Sequence, residues 1–296
     1  MAEGPQGASG QPAGLGRAVL VGLVGRGIGL SRTPRMHEVE GARLGLRHVY
    51  RLLDTDRMGA TPPPLAEILR AAEICGFAGL NVTHPYKKEV LALLDELSDN
   101  ARAIGAANTV VFRDGRRFGH NTDMWGFAES FRRGMEGAPR ARVLLLGAGG
   151  AGCAVAHALL DCGVERLLIR DAHAPAAEAL AEALAARYGA ARVGVLAELG
   201  ASLEGIDGIV NATPIGMADH PGLPLPAELL DPRLWVADIV YFPLETELLG
   251  TARAKGCRTL AGSGMALFQA VRAFELFTGL APDSEAMRAT FESFGT

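Results

Sequence analysis

The stretch LLLGAGGAGCAVAHAL, residues 144–159, runs from an apolar triplet through four glycines into an alanine-rich segment. The apolar run reads as a buried strand and the alanine-rich part as a helix, which leaves the glycines in the turn between them. A membrane helix over 143–160 is the competing reading, but the glycines near its start interrupt the span. Gly147, Gly149 and Gly152 fall at G-x-G-x-x-G spacing. The first glycine permits the turn, the second lets the backbone approach a pyrophosphate, and the third lets helix and strand pack closely. The helix N–H groups then face the phosphates. Alone the pattern is weak. Here the next strand, VERLLIRD (164–171), ends in Asp171, about 20 residues on, where an acid meets a ribose 2′-hydroxyl.

Working outward, the same alternation covers the rest of the chain. Strands are predicted at 18–25, 48–54, 77–83, 164–171, 192–197, 205–213, 235–241 and 257–262. Helices are predicted at 31–45, 63–76, 85–98, 151–162, 174–189 and from Met265 onward. Residues 106–123 read as two strands joined around Asp114-Gly115, a hairpin signal. Ser31 is a cap-type residue for the first helix, with Pro34 in the first turn. Strands separated by helices of this length call for an α/β protein with parallel sheets and helices on both faces.

Composition narrows the class. At 296 residues the chain is long enough for two domains, and 49% hydrophobic content suffices for their cores. A net charge of −4 gives no electrostatic reason to expect nucleic acid or an anionic membrane as partner. Cys75, Cys153, Cys162 and Cys257 form no CxxC pair and read as small buried thiols in a reducing compartment. The histidines show no HExxH or HxH spacing, so no metal is expected. Residues 1–16, MAEGPQGASGQPAGLG, read as a disordered tail and not as a signal peptide. A cytoplasmic protein is expected, as monomer or homodimer.

Residues 81–88, NVTHPYKK, hold two of only three lysines among 29 basic residues; the third is Lys255. A solvated cation would follow the arginine habit of this chain, so Lys87 points to a need for an amine. Arginine does not deprotonate in proteins, whereas lysine can. Lys88 reads as a long cation lying on the surface. Asn81 and Thr83 stand at a strand's end, where ligands of α/β sheets bind. Downstream, GAANTV and GHNTDMWG add Asn108, Asn121, Thr122 and Asp123. An amine beside a carboxylate suits alcohol oxidation, in which the hydroxyl proton passes to a positioned base while hydride leaves for nicotinamide.

With these motifs assembled, the chain from about Val19 onward resembles the shikimate dehydrogenase family. SRTP is similar to the family's substrate-carboxylate motif, usually Ser-x-Ser-Pro, and gives Ser31 and Thr33. The family's NVTxPxK is matched by Asn81, Thr83, Pro85 and Lys87, and its catalytic Lys–Asp dyad falls on Lys87 and Asp123. Asn108 in AANTV matches the substrate asparagine. DIVYFPLETELL matches the tyrosine segment with Tyr241, and GMALFQAVRAFELFTG the helix whose glutamine, here Gln269, meets the substrate. The cofactor side then comprises Gly147, Ala148, Gly149, Gly150, Ala151, Gly152, Arg170 and Asp171. NATPIGM adds Asn211, Thr213 and Met217, and Gly264 completes it.

The resemblance implies two domains. A substrate-binding catalytic domain would span 17–123 plus 262–296, with the C-terminal helices returning to the first sheet. A Rossmann-type doubly wound nucleotide-binding domain would span 124–261. The cleft between them would open and close about the crossings near 124 and 262, excluding water on closure. Two departures bear on chemistry. Members using NADP usually carry NRTxxR after the second nucleotide-domain strand, whereas IRDAHAP here puts Asp171 at the threonine position. A carboxylate accepts from ribose hydroxyls and repels a 2′-phosphate, although Arg170 could hold a phosphate or stack on adenine. Thr33 in place of serine is similar to the quinate/shikimate branch. The expected activity is therefore oxidation of the C3 hydroxyl of quinate or shikimate with NAD. The alternatives are an NADP-linked biosynthetic shikimate dehydrogenase and a catalytically silent NAD-binding regulator.

Overall fold

In the computed structural model, residues 16–200 and 202–293 are described; residues 1–15 of the expected tail lie outside them. The chain begins β1 (Ala18–Gly25), α1 (Thr33–Arg43), β2 (Arg47–Asp54), α2 (Leu65–Ile74) and β3 (Gly79–Val82). A short strand β4 (Glu96–Leu97) and α3 (Asp99–Ile104) lead into the hairpin of β5 (Thr109–Arg113) and β6 (Arg116–His120). These strands form one sheet in the order β2-β1-β3-β5-β6-β4. It is mixed and not all-parallel: β5 runs antiparallel to β3 and β6. The hairpin turn puts Asp114 (φ 52°) and Gly115 (φ 69°) in the left-handed region that its two-residue loop requires.

α4 (Thr122–Gly134) carries the chain to the second sheet. There β7 (Arg142–Leu146), α5 (Gly150–Asp161), β8 (Arg166–Arg170), α6 (Ala174–Tyr188) and β9 (Val193–Val195) form one half. The other half is β10 (Gly208–Asn211), β11 (Trp235–Asp238), α7 (Glu247–Ala254) and β12 (Arg258–Leu260). The order β12-β11-β10-β7-β8-β9, parallel throughout, is that of a doubly wound Rossmann sheet. The period of two in β7 explains its double burial. Val143 and Leu145 pack into the core that holds α5, whereas Leu144 and Leu146 join Val236 and Leu248 on the opposite face.

α8 (Ser263–Thr278) and α9 (Ser284–Glu292) return to the first sheet. Ala273 and Phe277 of α8 share a core with Val19, Val21 and Tyr50. Met287 and Phe291 of α9 close over Met36 of α1. Among the described residues no helix is long and apolar enough to cross a membrane.

Three sequence expectations need correction. Residues 85–98 do not form an α-helix; turns lead into a 3-10 segment at Glu89–Leu93 and then β4. The Lys87 carbonyl accepts from Ala107 N–H (2.9 Å), and Asp95 and Ser98 N–H donate to the Arg117 and Gly119 carbonyls. Tertiary bonds thus take groups that a helix would have paired within itself. Next, the N-cap of α1 is Arg32; Ser31 lies just before it, with its Oγ accepting from Thr33 N–H at 3.4 Å. Finally, Cys75 is exposed at the end of α2 and Cys153 is half-buried, so only Cys162 and Cys257 are buried thiols. The short helices α3 and α7 and the longer α4 and α9 were not expected from periodicity. Their caps were legible: Ser98, Asn121, Thr246 and Asp283 each accept from a first-turn N–H.

A buried pair of histidines sits behind the first sheet. His37 of α1 and His48 of β2 have ring centroids 5.5 Å apart, and His48 stacks on Phe274. None of their four ring nitrogens meets a partner in good hydrogen-bonding geometry, and a backbone group of Ala270 near His37 only partly opposes the effect of burial. Burial holds His37 well below its ordinary value and lowers His48 from 6.5 to about 4. Both folded values lie below the unfolded one, so their contribution to stability is complete above the unfolded pKa. It is lost as pH falls from there toward the folded values. By about pH 5 the loss should reach roughly 2 kcal/mol for His48. Melting temperature should therefore fall by several degrees between about pH 7.5 and about pH 5, and the His37→Phe/His48→Phe double variant should show a clearly smaller fall.

Candidate active site

The two sheets present their strand ends to a common cleft, a cavity of about 290 Å³. β3 places Asn81 on its wall and Thr83 just beyond, where Thr83 N–H donates to the Val24 carbonyl (3.0 Å) of β1. Lys87 follows in the non-helical segment, its backbone pinned to Ala107. Asp123 lies in the first turn of α4, an end that favours an anion. Asn121 caps that helix through Met124 N–H (3.1 Å) and donates to the Ala106 carbonyl (3.1 Å), which fixes the helix start against the strand lead-in. The outcome is a Lys87 Nζ–Asp123 Oδ2 ion pair of 2.6 Å with side-chain exposures of 33% and 14%.

The cleft collects every residue expected at the substrate. Ser31 and Thr33 line it from the start of α1, Asn108 from the strand lead-in, and Gln269 from α8. Tyr241 reaches it from beyond β11. Burial raises the Tyr241 phenol, with Asp123 adding to the rise and Lys87 and Arg32 opposing it. By area the residue is 48% exposed, and it lines the open cleft. Asn108 Oδ1 accepts from Thr122 N–H (2.7 Å) and its Nδ2 donates to Thr122 Oγ1 (3.0 Å), so α4 and the β5 hairpin share one polar knot.

On the nucleotide side, only Ala151 of the glycine turn touches this cavity. Gly147 has φ 102°, and a Cβ there would stand 2.6 Å from the Ala212 carbonyl oxygen; one on Gly152 would stand 2.1 Å from that of Gly147. Gly149 and Gly150 face open space, and α5 has no side-chain cap on its first N–H groups. A tight turn below, an open floor above and uncapped helix donors fit a dinucleotide pyrophosphate. Asp171 is held by Ala148 N–H (2.7 Å) on one oxygen and His173 N–H (2.8 Å) on the other. Arg170 donates to the Ala197 carbonyl.

The chain matches the family model described as "Shikimate dehydrogenase substrate binding domain" over residues 23–110, and "Shikimate 5'-dehydrogenase C-terminal domain" over 262–290. It is 57% identical to a shikimate dehydrogenase (NADP(+)) of Streptomyces avermitilis, over 91% of this chain and 94% of that one. The chain belongs to the shikimate dehydrogenase family. It is also 50% identical to a quinate/shikimate dehydrogenase (NAD(+)) of Corynebacterium efficiens, covering 93% of this chain and 98% of that one. The solved quinate dehydrogenase from Corynebacterium glutamicum in complex with NAD superposes with a TM-score of 0.89 at 47% identity, over 94% and 99% of the two chains. As a family member it is an oxidoreductase taking a nicotinamide cofactor and a small-molecule substrate.

Not every expected cofactor residue presents its side chain to a ligand. Asn211 is fully buried, donating to Asp238 Oδ1 (2.9 Å) and to the Ile215 carbonyl (2.9 Å) while accepting from Thr213. Thr213 Oγ1 also accepts from Ile215 N–H (3.2 Å). These two staple the loop that carries Met217, which is 41% exposed. Gly264 packs against Ser130, where a Cβ would stand 2.1 Å from Oγ, and does not line the cleft. Sequence reading also missed cleft residues. Leu23 is apolar and lies in no motif, Ile239 and Met265 lie within matched segments but carry no chemistry that singles them out, and Tyr50 was legible only as an inward position in the alternation of β2.

Lys87→Ala should lower turnover by about 10²–10⁴-fold with secondary structure retained, the usual worth of general acid–base catalysis. Asp123→Asn should also be strongly impaired, while exposed Lys88→Ala should stay near wild type. Steady-state turnover with circular dichroism measures all three. Equal damage from Lys88→Ala would reverse the assignment.

Proposed function

We propose that the protein reversibly oxidises the C3 hydroxyl of quinate and shikimate, using NAD. The observation that carries this reading is the 2.6 Å Lys87–Asp123 pair in the cleft, with Ala151 of the glycine turn on the same wall system. The hydroxyl loses its proton into the Lys87–Asp123 hydrogen bond, and the same pair returns it in the reverse direction. Nicotinamide, when bound, accepts hydride from the carbinol carbon. Ser31 and Thr33, at the start of α1, offer hydroxyl donors to the ring carboxylate, and the helix N-terminus favours its charge. Asn81, Thr83, Asn108, Tyr241 and Gln269 surround the ring and orient the reacting hydroxyl toward the pair.

Cofactor choice rests on Asp171. Two backbone N–H groups fix its carboxylate, and each oxygen keeps a lone pair for ribose hydroxyls. Arg170, the neighbouring cation, already gives one guanidinium donor to the Ala197 carbonyl, which leaves fewer for a 2′-phosphate. Relatives carry both NAD and NADP in their names, so this local geometry is what favours NAD here. Residues 17–123 with 262–296 would act as the substrate unit and 124–261 as the nucleotide unit, closing about α4 and α8 to exclude water.

A matrix of quinate and shikimate, each with NAD and NADP, tests the reading. Both acids should be oxidised faster with NAD than with NADP. Asp171→Ser should weaken NAD use and improve NADP use, since a repulsive contact disappears. Wild-type enzyme turning over faster with NADP would overturn the cofactor assignment, and turnover of neither acid would overturn the substrate assignment.

A further inference from the structure

Asn81 has both amide donors engaged within the first sheet. Nδ2 donates to the main-chain oxygen of Asn108 (3.3 Å) and to Thr109 Oγ1 (2.9 Å). A backbone carbonyl only accepts, so the amide cannot be reversed, and Oδ1 must face Tyr50. The Tyr50 hydroxyl donates to that oxygen at 2.8 Å. Thr109 Oγ1 in turn has Asn108 Oδ1 (3.2 Å) and Thr122 Oγ1 (3.3 Å) within reach of its own hydrogen.

Tyr50 and Asn81 are each 4% exposed and both line the cleft. With their donors committed, the valences they have left there are oxygen lone pairs. Burial raises the Tyr50 phenol well above its ordinary value, so the proton it donates stays in place. Behind it the ring stands edge-on to His37, centroids 5.0 Å apart, and no histidine nitrogen reaches the hydroxyl. The aromatic packing therefore aims the hydroxyl at Asn81.

We propose that Tyr50 is a positioning residue for substrate selection: it holds the Asn81 carboxamide so that this part of the wall presents only acceptors. That wall takes a ring hydroxyl as donor and disfavours a group that can only accept. The inference rests on the polyhydroxy-acid reading above and adds a residue that acts through Asn81. Tyr50→Phe keeps the ring in its aromatic cluster and removes the hydroxyl, both its bond to Asn81 and its own lone pairs on the wall, which the Asn81 background separates.

The test is a double-variant cycle with shikimate and quinate, using Tyr50→Phe, Asn81→Ala and the combination. Tyr50→Phe should raise substrate KM about tenfold, the scale of one lost buried hydrogen bond, and change kcat much less. The KM for NAD should move less than about twofold. In the Asn81→Ala background, Tyr50→Phe should change substrate KM by less than about twofold. Asn81→Ser serves as the second background where Asn81→Ala does not fold. An unchanged KM in Tyr50→Phe would overturn the proposal. So would an equal factor in both backgrounds, which would mean the hydroxyl acts independently of Asn81. A matching rise in the KM for NAD would mark a general loosening and also overturn it. Wild-type enzyme inactive with both acids would overturn the functional reading and this inference with it.

Discussion

α4 and α8 cross with their backbones almost in contact, and the cleft depends on that approach. A Cβ on Gly126 would lie 2.6 Å from Gln269 N and 2.7 Å from the Met265 carbonyl oxygen; one on Gly264 would meet Ser130. α4 carries Asp123 in its first turn, and α8 carries Gln269, so the helices that join the two sheets also set two walls of the site. Separating them by a side chain would shift the carboxylate relative to Lys87, which is anchored independently through Ala107. A 2.6 Å ion pair between segments with separate anchors demands that both frames stay in register.

A second junction does the same for the nucleotide half. Asp238 is 2% exposed and accepts from Asn211 Nδ2 (2.9 Å), Val240 N–H (3.0 Å) and Thr246 Oγ1 (2.7 Å). It binds the end of β10, the exit of β11 toward Tyr241 and the cap of α7 into one corner. Burial raises this carboxyl while its three donors oppose the rise. Such a group is retained for geometry, since an apolar residue there would take the acceptor from the Thr246 hydroxyl and from one of the two Asn211 amide hydrogens.

Most of the second sheet was legible because glycine spacing, strand length and Asp171 all report local geometry. Lys87 stood out because lysine is rare in this chain, and the family resemblance set it with Asp123, 2.6 Å away in the structure. What was missed depended on partners distant in sequence. Residues 85–98 carry a helical pattern, yet Ala107 and β6 claim their backbone groups. Asn211 and Thr213 were expected on the cofactor side; what the sequence did not show is that Asp238, 27 residues beyond Asn211, holds the asparagine side chain within the loop. Tyr50 has no motif around it, and its bond to Asn81 emerges only when β2 and β3 are set either side of β1.

The order of the chain also bears on how it is made. The nucleotide half is continuous from β7 to β12 and can close its core while synthesis proceeds. The first sheet cannot: Val19 and Val21 are covered by Ala273 and Phe277, and Met36 by Met287 and Phe291. As the ribosome delivers the chain N-terminus first, the earliest strands wait with an apolar face uncovered until α8 and α9 emerge. The half that selects the substrate is therefore completed last, and the interval before α8 arrives is when the nascent chain is most open to aggregation or chaperone capture.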